Sequence, residues 1–290
     1  MARNFNDIVP KDSKLEKIAT GFVFTEGPIW DASQGCLFFS DIPANKMRKW
    51  TEAKGIEIFR EPSGKSNGLT LDKQGRLIAC EHANRRVSRT EKDGAIVTIA
   101  DNYDGKKLNS PNDVVVKSDG SIYFSDPPYG LTADFGNLGE QELPFQGVYR
   151  LSADGKTLTL LTDEFYRPNG LAFSPDESLL YIDDSENVFV RVFDVKPDGT
   201  ISNGRMFAEL KGTEPGTTDG MKVDSKGNVY VTGPGGIWVY DPSGEKLGRI
   251  DVPEVAANIA WGDKDWKTLY ITGSTSVYRI RLSIEGIKVP

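Results

Sequence analysis

A chain of 290 residues with 38% hydrophobic and 10% aromatic content is composed like a water-soluble globular protein. No run approaches the roughly 18 consecutive apolar residues of a membrane span, and a formal net charge of −7 argues against the basic stripe of a nucleic-acid binder while suiting a cation site. With His82 as the single histidine and only Cys36 and Cys80 as cysteines, a zinc site of the usual nitrogen and sulfur ligands is disfavoured, so a metal here is held by oxygen.

The first residues, MARNFNDIVPKDSKLEK, carry no apolar segment of signal-peptide type, and the expected location is cytoplasmic. The two cysteines sit in strand-like runs without CxxC spacing and read as reduced core thiols. Residues 14 to 22 supply a strand candidate, and then one hairpin recurs six times. In chain order the copies are EGPIWDASQGCLFFSD from Glu26, NGLTLDKQGRLIACE from Asn67, NDVVVKSDGSIYFSD from Asn112, NGLAFSPDESLLYIDD from Asn169, DGMKVDSKGNVYVTG from Asp219 and, more loosely, NIAWGDKDWKTLYITG from Asn258. Each has a polar anchor, an apolar strand, a turn rich in Asp, Lys, Ser and Gly, and a second strand. Further strand candidates such as GVYRLSA, TLTLLTD and FVRVFDV lie between them.

Successive anchors are mostly about 40–50 residues apart, the period of a four-stranded propeller blade. The expected fold is therefore all-β: a six-bladed β-propeller with four-stranded blades around a central channel. Residues 1–290 form one domain in this reading, and the strand near residues 14 to 22 closes the ring. Inner strands of a propeller line the channel, so Glu26, Asn67, Asn112, Asn169, Asp219 and Asn258 converge at one mouth. Counting along the second strands brings Asp41, Glu81 or His82, Asp126, and Asp183 or Asp184 back to the same level.

Asn or Asp before Gly is ordinary turn chemistry, and one such anchor would mean little. Six convergent anchors, all with amide or carboxylate oxygens, point to a divalent cation, Ca²⁺ first, with Mg²⁺, Mn²⁺ or Zn²⁺ as alternatives. A cation with open positions could polarise a carbonyl and orient a water.

The motifs EGPIW, SPNDVVVKSDGSIYFSDPPYG, RPNGLAFSPDESLLYIDDS and DGMKVDSKGNVYVTGPGGIWVYD resemble those of the senescence-marker (regucalcin) and gluconolactonase family, over about Phe24 to Tyr240. CEHANRRV brings the chain nearest to the bacterial gluconolactonase branch. The resemblance implies hydrolysis of small sugar lactones, with a metal on Glu26, Asn169 and Asp219, Asp219 as general base, and Asn112 close to the metal or substrate. If Asp219 is a ligand only, Asp126 and Asp183 of the returning strands are the substitute bases. Where the animal branch carries a sugar-holding arginine this chain has Ser110, so Lys107 or Arg167 is the candidate replacement.

His82, Asn67, Asp126, Tyr129 and Arg167 complete the expected substrate contacts. Residues 127–147 interrupt a blade and are expected to cover the mouth, with Tyr129, Phe135 and Phe145 as packing groups. Arg85 and Arg86 read as a solvated turn, and Trp30, Trp238 and Trp261 as core. The expected partner is a small lactone, without nucleic acid or membrane, for a monomer or dimer. Competing readings are a phosphotriesterase and a non-catalytic binding propeller braced by metal.

Overall fold

The computed structural model describes residues 4–289. Six four-stranded antiparallel sheets follow one another along the chain, and their first strands pack side by side around a central channel. Those inner strands are Thr25–Asp31, Ser66–Leu71, Val114–Val116, Pro168–Phe173, Met221–Val223 and Ala256–Gly262. The first five blades are contiguous in sequence. In the sixth, the outermost strand is Glu16–Thr20, which pairs antiparallel with Ser276–Arg281 and ties the start of the propeller to its end.

Burial falls from the axis outward. Thr25–Asp31, Ser66–Leu71, Pro168–Phe173 and Ala256–Gly262 are buried at every position, because neighbouring blades cover both their faces. Outermost strands such as Gly55–Arg60 and Ile201–Glu209 expose part of each run. Trp30, Trp238 and Trp261 are buried as core groups, and Cys36 and Cys80 are buried free thiols. Among the described residues no helix is long and apolar enough to cross a membrane.

The two ends of each first hairpin use acid residues differently. At the turn end, Asp31, Asp72, Asp119 and Asp224 each accept from the backbone N–H two residues on, at 2.8–2.9 Å. These are Asx turns, and their acidity serves the backbone.

At the anchor end the inner strands are irregular. The pairing register shifts between Glu26 and Ile29, between Ser66 and Leu69, and between Pro168 and Leu171, so Glu26, Asn67 and Asn169 each lie within a β-bulge. A bulge re-aims a side chain, here away from the sheet's alternation. The glycine after the anchor does more than allow a left-handed backbone, which Gly27 adopts at φ +53° and Gly170 does not. A Cβ on Gly27 would lie 2.0 Å from the Asn67 carbonyl oxygen, and one on Gly170 would lie 2.0 Å from that of Asp219. Only glycine lets the next inner strand come this close, which draws the anchors into a narrow ring.

Candidate functional site

The ring opens into a cavity of about 190 Å³. Five anchors line it: Glu26, Asn67, Asn112, Asn169 and Asp219. Above them stand Phe24, Ile42, Tyr129 and Phe135, which make the upper wall largely apolar. The sixth anchor, Asn258, lies outside that lining. Its Nδ2 donates to Glu26 Oε2 at 3.0 Å, its Oδ1 accepts from the Ile259 N–H at 2.8 Å, and its role is to orient Glu26.

Three of the lining anchors are each oriented through one atom while another stays open. Glu26 Oε2 takes Asn258 and the Gly27 N–H, and Oε1 is buried without a partner among the described residues. Asn169 Nδ2 donates to Ser185 Oγ at 2.9 Å, and Asn169 Oδ1 is likewise open. Asn67 repeats the pattern, with Nδ2 on His82 and Oδ1 open. Buried oxygens without donors are costly, and they are what a hard cation or a bound polar ligand would satisfy.

Electrostatics point the same way. Among the described residues none that lines the cavity is Lys or Arg. Burial, then the neighbouring Asp113 charge, pushes Glu26 up to about 7. Burial, then Glu26 and Asp183, hold Asp219 well above the usual carboxylate range. Burial followed by Asp113 does the same to Asp183. A divalent cation would relieve this mutual repulsion. No three His, Cys, Asp or Glu side chains among the described residues converge as a ready-made metal centre, so two carboxylates would need amide oxygens to complete the set. Glu26, Asn169 and Asp219 meet that requirement. A larger groove of about 610 Å³ at the turn end differs: its Arg76, Asp72, Arg89 and Glu91 are already ion-paired with one another.

Residues 24–275 match the family model described as the SMP-30/gluconolactonase/LRE-like region. The chain belongs to the SMP-30/gluconolactonase family. It is 35% identical to a gluconolactonase of Zymomonas mobilis, across 96% of this chain and 84% of that one. A pentonolactonase of Haloferax volcanii is 29% identical across 85% of this chain and 80% of its own length. Among solved structures, a gluconolactonase of Xanthomonas campestris superimposes with a TM-score of 0.89 at 34% identity, covering 96% of this chain and 92% of that one.

The four residues carried by the family motifs, Glu26, Asn112, Asn169 and Asp219, all face the one cavity, together with Asn67, His82 and Tyr129. Other candidates lie elsewhere. Asp126 is fully buried outside the lining, and its Oδ2 accepts from the Asn109 N–H at 2.8 Å. Arg167 is also outside it, with its guanidinium 5.5 Å from the centre of the Tyr129 ring. Lys107 is exposed in a small separate hairpin, and Ser110 fastens the loop by donating to the Pro127 carbonyl at 2.5 Å. Arg85 and Arg86 do not form a free turn: Arg86 pairs with Glu81 at 2.8 Å and Arg85 with Glu142 at 3.2 Å.

The acids returning on second strands are mostly fasteners. Asp41 Oδ1 accepts from the Val23 and Phe24 N–H groups, and Asp184 Oδ2 from those of Tyr166 and Arg167. Asp126 does the same for Asn109, so one geometry recurs in three blades: the acid holds the chain entering its own inner strand. Asp183, also outside the cavity lining, reaches the inner strand itself, with Oδ1 on the Gly170 N–H at 3.2 Å; its Oδ2 is open, as is Asp126 Oδ1. Asp113, buried beside Asn258, was not among the sequence candidates. Its signal was available: SPND places an acid where four other anchors are followed by glycine.

Proposed function

We propose that the protein hydrolyses a small sugar lactone to the open-chain aldonic acid in this cavity, with Glu26, Asn169 and Asp219 holding a divalent cation, Ca²⁺ by preference. The observation that carries the reading is the ring of buried open oxygens without a cationic side chain, on a chain related to named lactonases. Bound there, such a cation supplies Lewis acidity toward a carbonyl and lowers the pKa of water.

The chain's own groups account for the rest. Asp219, whose proton affinity is raised by burial and by Glu26, orients a water and accepts its proton as the oxygen adds to the lactone carbonyl. Collapse of the adduct breaks the ring C–O bond, and the leaving ring oxygen takes that proton to become the hydroxyl of the acid. The Asn112 side chain faces the same space and can hydrogen-bond the oxygen on which charge develops. Phe24, Ile42, Tyr129 and Phe135 exclude bulk water and pack on the ring carbons.

Asp219→Asn keeps the shape and an amide oxygen but removes the proton acceptor. The expected loss in kcat for glucono-, galactono- or xylonolactone is about 10²–10⁴-fold. Undiminished turnover in a folded Asp219→Asn protein would remove Asp219 from this role.

A further inference from the structure

We propose that His82 is a positioning residue, whose imidazole turns the Asn67 carbonyl oxygen into the cavity through Nε2 and pins the segment over the mouth through Nδ1. Its kinetic arm rests on the lactonase reading above; its structural arm does not.

The argument is one of forced donors and acceptors. His82 Nδ1 is 3.1 Å from the Phe135 carbonyl oxygen, which can only accept, so Nδ1 carries the hydrogen. In that neutral tautomer Nε2 is an acceptor. The Asn67 amide stands 3.3 Å from it and must present its NH₂, since its oxygen would meet a second lone pair. Asn67 Oδ1 is thereby turned away from His82, and it is the buried atom left open on a residue of the cavity wall. Both ring nitrogens are used, which replaces the expected substrate contact of His82 with an indirect one.

Independent contacts hold the other end of this strut. Lys65 Nζ donates to the carbonyls of Ala133, Asp134 and Gly136 at 2.7, 3.2 and 2.9 Å. With the Phe135 carbonyl on His82, four consecutive carbonyls are gathered toward the second blade. The Phe135 ring then meets Phe24 edge-on at 5.3 Å, and both are cavity walls. Gly130 leaves no slack behind the imidazole: a Cβ there would lie 2.6 Å from that of His82. Burial keeps the ring neutral, with its pKa lowered to about 4.

His82 is the single histidine, so a protein labelled with ¹⁵N-histidine gives one imidazole spin system and reads the tautomer directly. The expected result at neutral pH is hydrogen on Nδ1 and an unprotonated Nε2. A hydrogen on Nε2, or an imidazolium, overturns the proposal.

Two variants separate the two bonds. His82→Asn keeps a donor near Nδ1 and loses the acceptor for Asn67, so kcat falls about tenfold or more with KM within about twofold. His82→Gln keeps an acceptor near Nε2 and frees the segment, so KM rises several-fold while kcat holds. Indistinguishable kinetics in the two folded variants, or wild-type constants in His82→Ala, also overturn it. If a variant does not fold, the tautomer decides; if the wild type opens no lactone, the lactonase reading fails while the tautomer still tests His82.

Discussion

Two glutamates, both buried, show how this fold treats charge in opposite ways. Glu26 is 2% exposed and Glu81 is 1% exposed. Burial raises the proton affinity of each. At Glu81 the hydrogen bonds from Arg86, Ser88 and Asn84 and the Arg60 charge outweigh burial, and its pKa is lowered. At Glu26 burial and the Asp113 charge outweigh the hydrogen bonds with the Gly27 N–H, Asn258 and Asp219, none of them a cation, and it rises to about 7. The fold therefore supplies its own cations where blades must be locked together, and omits them at the channel mouth. That omission is the observation on which the proposed cation rests.

Neutralising each glutamate in turn gives the largest effect. Glu81→Gln leaves Arg60 buried without its counter-charge and is expected to destabilise the protein by about 3–5 kcal/mol, measured by chemical denaturation. Glu26→Gln removes repulsion instead, so the metal-free protein should be no less stable than wild type. It should nevertheless lose lactone turnover and Ca²⁺ affinity by more than about 100-fold, since even partners of metal ligands cost 10–100-fold. Equal destabilisation by the two substitutions would break the comparison.

Titration sharpens it next. The Glu26 pKa is raised from 4.5 to about 7 in the fold, so the folded state binds the extra proton between those values. Its contribution is present below about pH 4.5 and is lost as pH rises through about 7. Asp126, raised to about 7, adds the same sign, while His82, lowered to about 4, adds the opposite one. The useful quantity is thus the difference in Tm between Ca²⁺-saturated and chelated protein, in which groups away from the ion largely cancel. It should grow from about pH 5.5 to 8 as protons leave the site, with proton release on Ca²⁺ binding in calorimetry. A difference independent of pH would mean that the ion does not meet these carboxylates.

Much of this was legible in the sequence because it repeats. Six hairpins at a blade-like period disclose the propeller, and the anchors follow from the geometry of inner strands. What the sequence hid was direction. A count along a second strand places Asp126 and Asp183 at one level, but Asp126 holds the Asn109 N–H of the entering chain whereas Asp183 holds the Gly170 N–H of the inner strand, and each keeps one open oxygen. Adjacent Asp183 and Asp184 point to opposite sides of one strand, as the pleat requires. The glycines after the anchors were visible, but their purpose was not, because close approach to the next blade is a long-range fact.

The smallest effects come from one hydroxyl in each region, Ser185 on Asn169 at the mouth and Ser88 on Glu81. Ser185 accepts from Asn169 Nδ2 at 2.9 Å and leaves Asn169 Oδ1 facing the cavity. Ser88 donates to Glu81 Oε1 at 2.5 Å and faces only a structural pair. Ser185→Ala should weaken Ca²⁺ binding about tenfold with little change in stability, because the amide is freed to turn its NH₂ toward the ion. Ser88→Ala should cost about 1.5 kcal/mol of stability and leave Ca²⁺ binding unchanged. Calorimetric titration and denaturation on both proteins check the pair. If Ser185→Ala moved only stability, Asn169 would belong with the fasteners, and the cation would be left to Glu26 and Asp219.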